Sequence, residues 1–107
     1  MSDRMPTCKI TIIKRTLNRE LINEYIIDEY KGMSKCEHFE DCQEFLIDPN
    51  LAKVPAGFCH WAWADIRNDI NLIASGGNIL GLKEKGTAIS SCSDWFRPVY
   101  FKIQRVE

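Results

Sequence analysis

The stretch from Phe58 to Ala74 does most to restrict what this chain can fold into. Cys59, Ala62, Trp63, Ile66, Ile70 and Ile73 recur at three- and four-residue steps, and Phe58, Trp61, Asp65 and Leu72 form a neighbouring line. That period places the first set on one side of a helix, and an apolar stripe of this kind must be buried against a second layer. Ser75-Gly76-Gly77-Asn78 stops the helix, because glycine enters the left-handed conformation that closes a helix end.

Strands are the obvious second layer. Lys9 to Lys14 is rich in β-branched residues, with Cys8, Ile10 and Ile12 sharing a face. Glu44 to Ile47 is a short strand that stops at the turn sequence Asp48-Pro49-Asn50. Thr87 to Cys92 is a third. Val99 to Val106 is the last, with Val99, Phe101 and Ile103 alternating against Tyr100, Lys102 and Gln104. Pro98 cannot donate to a ladder and fits a strand's first position. A further helix is expected from Arg19 to about Tyr30, with Asn18 as N-cap and Ile22, Tyr25, Ile26, Glu29, Tyr30 and Met33 along one mostly apolar stripe. The order β-α-β-α-β-β predicts an α+β fold: a small mixed or antiparallel sheet of about four strands with two helices packed on one face. The 107 residues make one domain spanning the whole chain.

Charge excludes more than it proposes. Fourteen Lys plus Arg against fifteen Asp plus Glu leave a net charge of −1, so no basic excess exists for a nucleic-acid backbone. No apolar run approaches the length of a membrane span. Met1 to Thr7 lacks the apolar stretch of a secretion signal, which gives the expectation of a cytoplasmic protein.

In that compartment the five cysteines, Cys8, Cys36, Cys42, Cys59 and Cys92, are expected to be reduced. Free cysteines commonly serve as small buried hydrophobes, so packing is the plain reading. The chemical reading is a thiolate site, although the chain has no Cys-x-x-Cys pair and ligands would have to converge from separate elements. Adjacent Cys59 and His60 point about 100° apart on a helix and would not share one ion. Cys59 opens the second helix, where free N–H groups favour a thiolate, and His38 or His60 could serve it as a base.

Two other segments carry polar chemistry. Asp94 and Arg97 stand three apart in a tight turn, which suits an internal ion pair or an Asx-turn. Arg97 could alternatively hold a carboxylate or phosphate, with Trp61, Trp63, Trp95 and Phe96 as pocket walls. Gly76 to Gly81 superficially looks like a phosphate loop, but it follows a helix instead of a strand and reads as a cap and turn.

Taken together, Cys36 with Phe39, Gln43-Glu44-Phe45, Gly57-Phe58-Cys59, Trp61-Ala62-Trp63-Ala64-Asp65-Ile66, Cys92, Asp94 and Arg97-Pro98-Val99 resemble a family of small prokaryotic proteins of about this length and without an assigned activity. The resemblance spans nearly all of the chain from Cys8 onward. It implies that Cys36, Cys59 and Cys92 are the motif thiols. It places Cys42 where the family carries glycine, and Trp95 where a glycine follows the motif Asp. His38, His60 and Cys8 fall on no motif position.

Three readings follow. The first is a metal-binding or redox-active thiol site formed by Cys36, Cys59 and Cys92, with a transition metal such as zinc or iron and one coordination position open. The second is a metal-free pocket for a small anionic ligand, drawing on Trp61, Trp63, Asp94 and Arg97. The third is a homo-oligomeric interaction module pairing through a sheet edge.

Overall fold

Strand pairing defines the frame. In the computed structural model, which describes residues 4–51 and 53–106, β1 (Cys8–Arg15), β2 (Glu44–Ile47), β3 (Thr87–Ser91) and β4 (Val99–Arg105) form one sheet in the order β2-β1-β4-β3. Every neighbouring pair is antiparallel. Residues 1–3, part of the stretch read for a secretion signal, lie outside the described residues, as do positions 52 and 107. The sheet and the two helices α1 (Arg19–Tyr25) and α2 (His60–Ala74) make an α+β fold.

Directly paired residues share a face. Cys8, Ile10 and Ile12 of β1 stand opposite Arg105, Ile103 and Phe101 of β4, and Ala88 of β3 stands opposite Ile103. The side chains of Ile10, Ile12, Phe101 and Ile103 are fully buried. The register shifts between Ile12 and Lys14, so that Lys14 faces Tyr100 and Arg15 faces Val99. Ile13 is the extra residue of this bulge, and it carries Arg15 onto the buried side of the sheet. There Arg15 donates to Asp41 Oδ1 at 2.9 Å and to the Cys36 carbonyl at 2.7 Å, fixing the 36–41 loop against the strand.

α2 lies against β3 and β4. Ala62, Ile66, Ile70, Ile73 and Ala74 are buried, as the apolar period requires. The helix closes as expected: Gly76, at φ 99°, donates to Ile73 O, and the Gly77 N–H reaches Leu72 O. These are the two bonds of a Schellman cap. The Gly77 backbone passes so close to Leu72 that an added Cβ would meet its carbonyl oxygen at 2.8 Å. Arg105, the last residue of β4, donates to Ile73 O and Gly77 O, each at 2.7 Å. A guanidinium at the helix's negative end satisfies carbonyls that would otherwise need water.

α1 departs from expectation. It ends at Tyr25, and Ile26 is extended at φ −93°, ψ 140°; a single 3-10 turn, Asp28–Tyr30, follows. The β-branched pair Ile26-Ile27 favours extended backbone, and beyond Ile22 the expected stripe is too little buried to overrule it. Ile22 is the one side chain of α1 that is buried, and it lies outside the main core cluster. Tyr25 and Tyr30, expected on the buried stripe, are 66% and 61% exposed. No described helix is long and apolar enough to cross a membrane.

Candidate functional site

The three cysteines expected to form a thiol site occupy separate stations on the rim of one core. Cys36, Cys59 and Cys92 are each half-buried and pack against the core cluster. Cys36 lies in the loop held by Arg15, and its carbonyl is one of the anchor points. Cys59 is the N-cap of α2 without a side-chain capping bond. Cys92 follows β3, where its sulfur accepts the Val99 N–H at 3.4 Å and its own N–H donates to Val99 O. Among the described residues, no group of three or more His, Cys, Asp or Glu side chains is placed to hold a metal ion. All five cysteines are free. Cys8 is fully buried, and burial pushes its thiol above its ordinary value against a smaller opposing pull from Arg105. Cys42 is exposed and adopts φ 63°, a conformation that glycine takes without strain.

Asp94 and Arg97 are committed to their own turn. Asp94 Oδ1 accepts the N–H groups of Phe96 and Arg97, and Oδ2 accepts Arg97 Nε at 3.2 Å. This is an Asx-turn closed by an ion pair. The turn is tied into the molecule from two sides. Asp65 Oδ2, on α2, accepts both the N–H and the hydroxyl of Ser93. On the other side Asn18 donates its N–H to Phe96 O and its side-chain amide to Trp95 O.

The expected tryptophan wall divides. Trp61 is 85% exposed, whereas Trp63 is half-buried, with its indole 5.7 Å from the Phe58 ring in an edge-to-face contact. Phe58 is itself packed edge-on against Phe39 and Phe45, at centroid distances of 5.0 and 4.9 Å. This aromatic cluster holds Trp63 at the mouth of a cleft between α2 and the connection after β2. The cleft encloses about 580 Å³ and is lined by Pro49, Leu51, Lys53, Val54, Trp63, Arg67, Asn68, Ile70 and Asn71.

Its chemistry is one-sided. Lys53 and Arg67 bring two positive charges, and neither side chain has an ion-pair or hydrogen-bond partner among the described residues. Among the described residues, no carboxylate lines the cleft. Asn68 and Asn71 add amide donors and acceptors, while Leu51, Val54, Ile70 and Trp63 give apolar walls. Trp63, Arg67 and Asn71 are four residues apart, so they run in one line along α2 beside its buried stripe.

Of the four ligand residues expected from the sequence, Trp63 lines this cleft, and Trp61, Asp94 and Arg97 do not. Sequence reasoning missed Lys53, Arg67, Asn68 and Asn71. The available signal was the four-residue spacing Trp63-Arg67-Asn71 next to a buried line, which marks polar groups at a helix margin.

Comparison with known protein families, with curated proteins and with solved structures gives no match to the chain.

Proposed function

We propose that the protein binds a small anionic molecule in the cleft between α2 and residues 49–54. The observation that carries this reading is the pair of cations, Lys53 and Arg67, which have no partner among the described residues, on a wall that Trp63 shares and to which no described acid contributes. Anions gain charge-assisted hydrogen bonds from a guanidinium, which a carboxylate or phosphate can engage in bidentate fashion. Trp63 supplies a flat apolar face for the rest of the ligand.

Thermal unfolding in the presence of small carboxylates and phosphates tests the proposal. A true ligand at a hundredfold excess over its Kd contributes about 2.7 kcal/mol, a rise in Tm on the order of 10 °C for a domain of this size. Arg67→Ala should abolish the shift, Trp63→Ala should weaken binding about tenfold, and Arg97→Ala should leave the shift intact. A shift that survives Arg67→Ala and disappears with Arg97→Ala would return the site to the Ser93–Arg97 turn.

A further inference from the structure

The two ends of the sheet carry complementary surfaces. At one end α1 turns an apolar line outward: Leu21 and Tyr25 are four apart on one helix face and both exposed, and exposed Ile27 and Tyr30 follow. The segment's own cations do not cancel its acids: Lys31 pairs with Asp28, and Arg19, which donates to Lys31 O, offsets one charge among Glu20, Glu24 and Glu29. Glu20, Glu24 and Glu29 have no ion pair among the described residues, so the apolar line has a negative border.

The loop after α2 is its counterpart. Leu80 is fully exposed, and Ile79 beside it is exposed as well. Glu84 is neutralised by Lys102, while Lys83 and Lys85 have no partner among the described residues, which leaves an apolar tip with a positive border.

Topology keeps the two apart within one chain. β1 and β3 are both antiparallel to β4 and therefore run the same way. α1 follows the end of β1, and the 79–85 loop precedes the start of β3, so they lie at opposite ends of a sheet whose longest strand spans roughly 25 Å. Surfaces of opposite charge, each with apolar anchors and unable to meet internally, fit each other across two molecules.

We propose that the chain associates head to tail with a second copy of itself, the Ile79–Leu80 tip of one molecule docking on the exposed α1 face of the next. Such a contact is heterologous, so an associated pair retains one free surface of each kind. It is small and charge-assisted, which places it among weak, salt-sensitive associations.

Sedimentation equilibrium over a concentration series up to about 1 mM tests this. The expected average mass of the wild-type chain rises above its 12.4 kDa with concentration and falls back as salt is added. Leu80→Asp alone and Tyr25→Asp alone should each remain monomeric. An equimolar mixture of the two should form a 1:1 dimer and nothing larger, because one intact tip still meets one intact α1 face. The double variant Lys83→Glu/Lys85→Glu, which leaves every apolar side chain in place, should also weaken association, and unchanged thermal unfolding verifies that each variant is folded. A wild-type chain that stays monomeric throughout overturns the proposal. A mixture that fails to dimerise while the wild type associates overturns it in favour of a symmetric contact, and variants that associate as strongly as wild type move the contact to a sheet edge.

Discussion

α1 and α2 begin with similar local credentials and end in different circumstances. Each follows a plausible start and carries an apolar residue every three or four positions. α2 runs for 15 residues and buries five side chains against the sheet, and its last turn is closed by Gly76, Gly77 and Arg105. α1 runs for seven residues, buries Ile22, and breaks at Ile26. An isolated helix of two turns is unstable in water, so tertiary burial decides which stripe becomes a long helix. The period of a sequence proposes a helix, and the layer beneath it sets the length.

Substitutions should expose this difference in graded steps. Ile66→Ala, beneath α2, should cost about 3–4 kcal/mol of global stability in a denaturant titration, through lost burial and a cavity. Ile22→Ala should cost about 2 kcal/mol, at the low end for such a truncation, because Ile22 lies outside the main cluster. Equal costs at the two positions would break the contrast.

Arg105→Met should cost about 1–2 kcal/mol by leaving the α2 carbonyls unpaired. It should also speed hydrogen exchange in the last turn of α2 ahead of its centre. The α1 amides should exchange fastest of all helical amides in the wild-type chain. Leu21→Ala and Tyr25→Ala should stay within about 0.5 kcal/mol of wild type in dilute solution, as exposed positions do.

The smallest effect is a slope with pH. The Cys8 thiol is raised by burial, so the native state holds its proton longer than the unfolded chain does. Its contribution is therefore complete below the ordinary thiol value and is lost as pH rises through the higher native one. Alkaline stability measured for Cys8→Ala should fall less steeply than that of the wild type.

The strands and α2 were legible because alternation and a 3.6-residue period are local properties, and β2 falls on Glu44–Ile47 as the sequence predicts. The early end of α1 was not, since nothing within Arg19 to Tyr30 reports how little of the stripe is buried. Phe39 sits in a loop by sequence yet is almost completely buried among Phe45, Phe58 and Phe101, a position that depends on Arg15 holding the loop in place. The cleft was half legible. Trp63 stood out as an aromatic residue on a helix, but the cationic character comes from Arg67 meeting Lys53 across a connection whose path is set by tertiary packing. The segments singled out in the sequence supply much of the framework: Phe39, Phe58, Ala62, Ile66 and Val99 are buried, and Asp65 and Asp94 hold turns.

The thiols offer a separate check on the cleft as the functional centre. Elemental analysis combined with thiol titration, on the wild type and on Cys36→Ser, Cys59→Ser and Cys92→Ser, should give the same metal content in all four proteins and reactivity in order of exposure, Cys42 first and Cys8 last. A stoichiometric metal lost with any of the three would transfer the function to the sulfurs.

Ile13 makes β1 change phase midway along its length. Were its eight residues to pair without the bulge, strict alternation would turn the Arg15 side chain toward the opposite side of the sheet. The guanidinium would then be withdrawn from Asp41 and from the Cys36 carbonyl. The bulge thus acts at a distance, securing a loop more than twenty positions downstream, and because Ile13 is the unpaired residue, removing it would leave Arg15 opposite Val99.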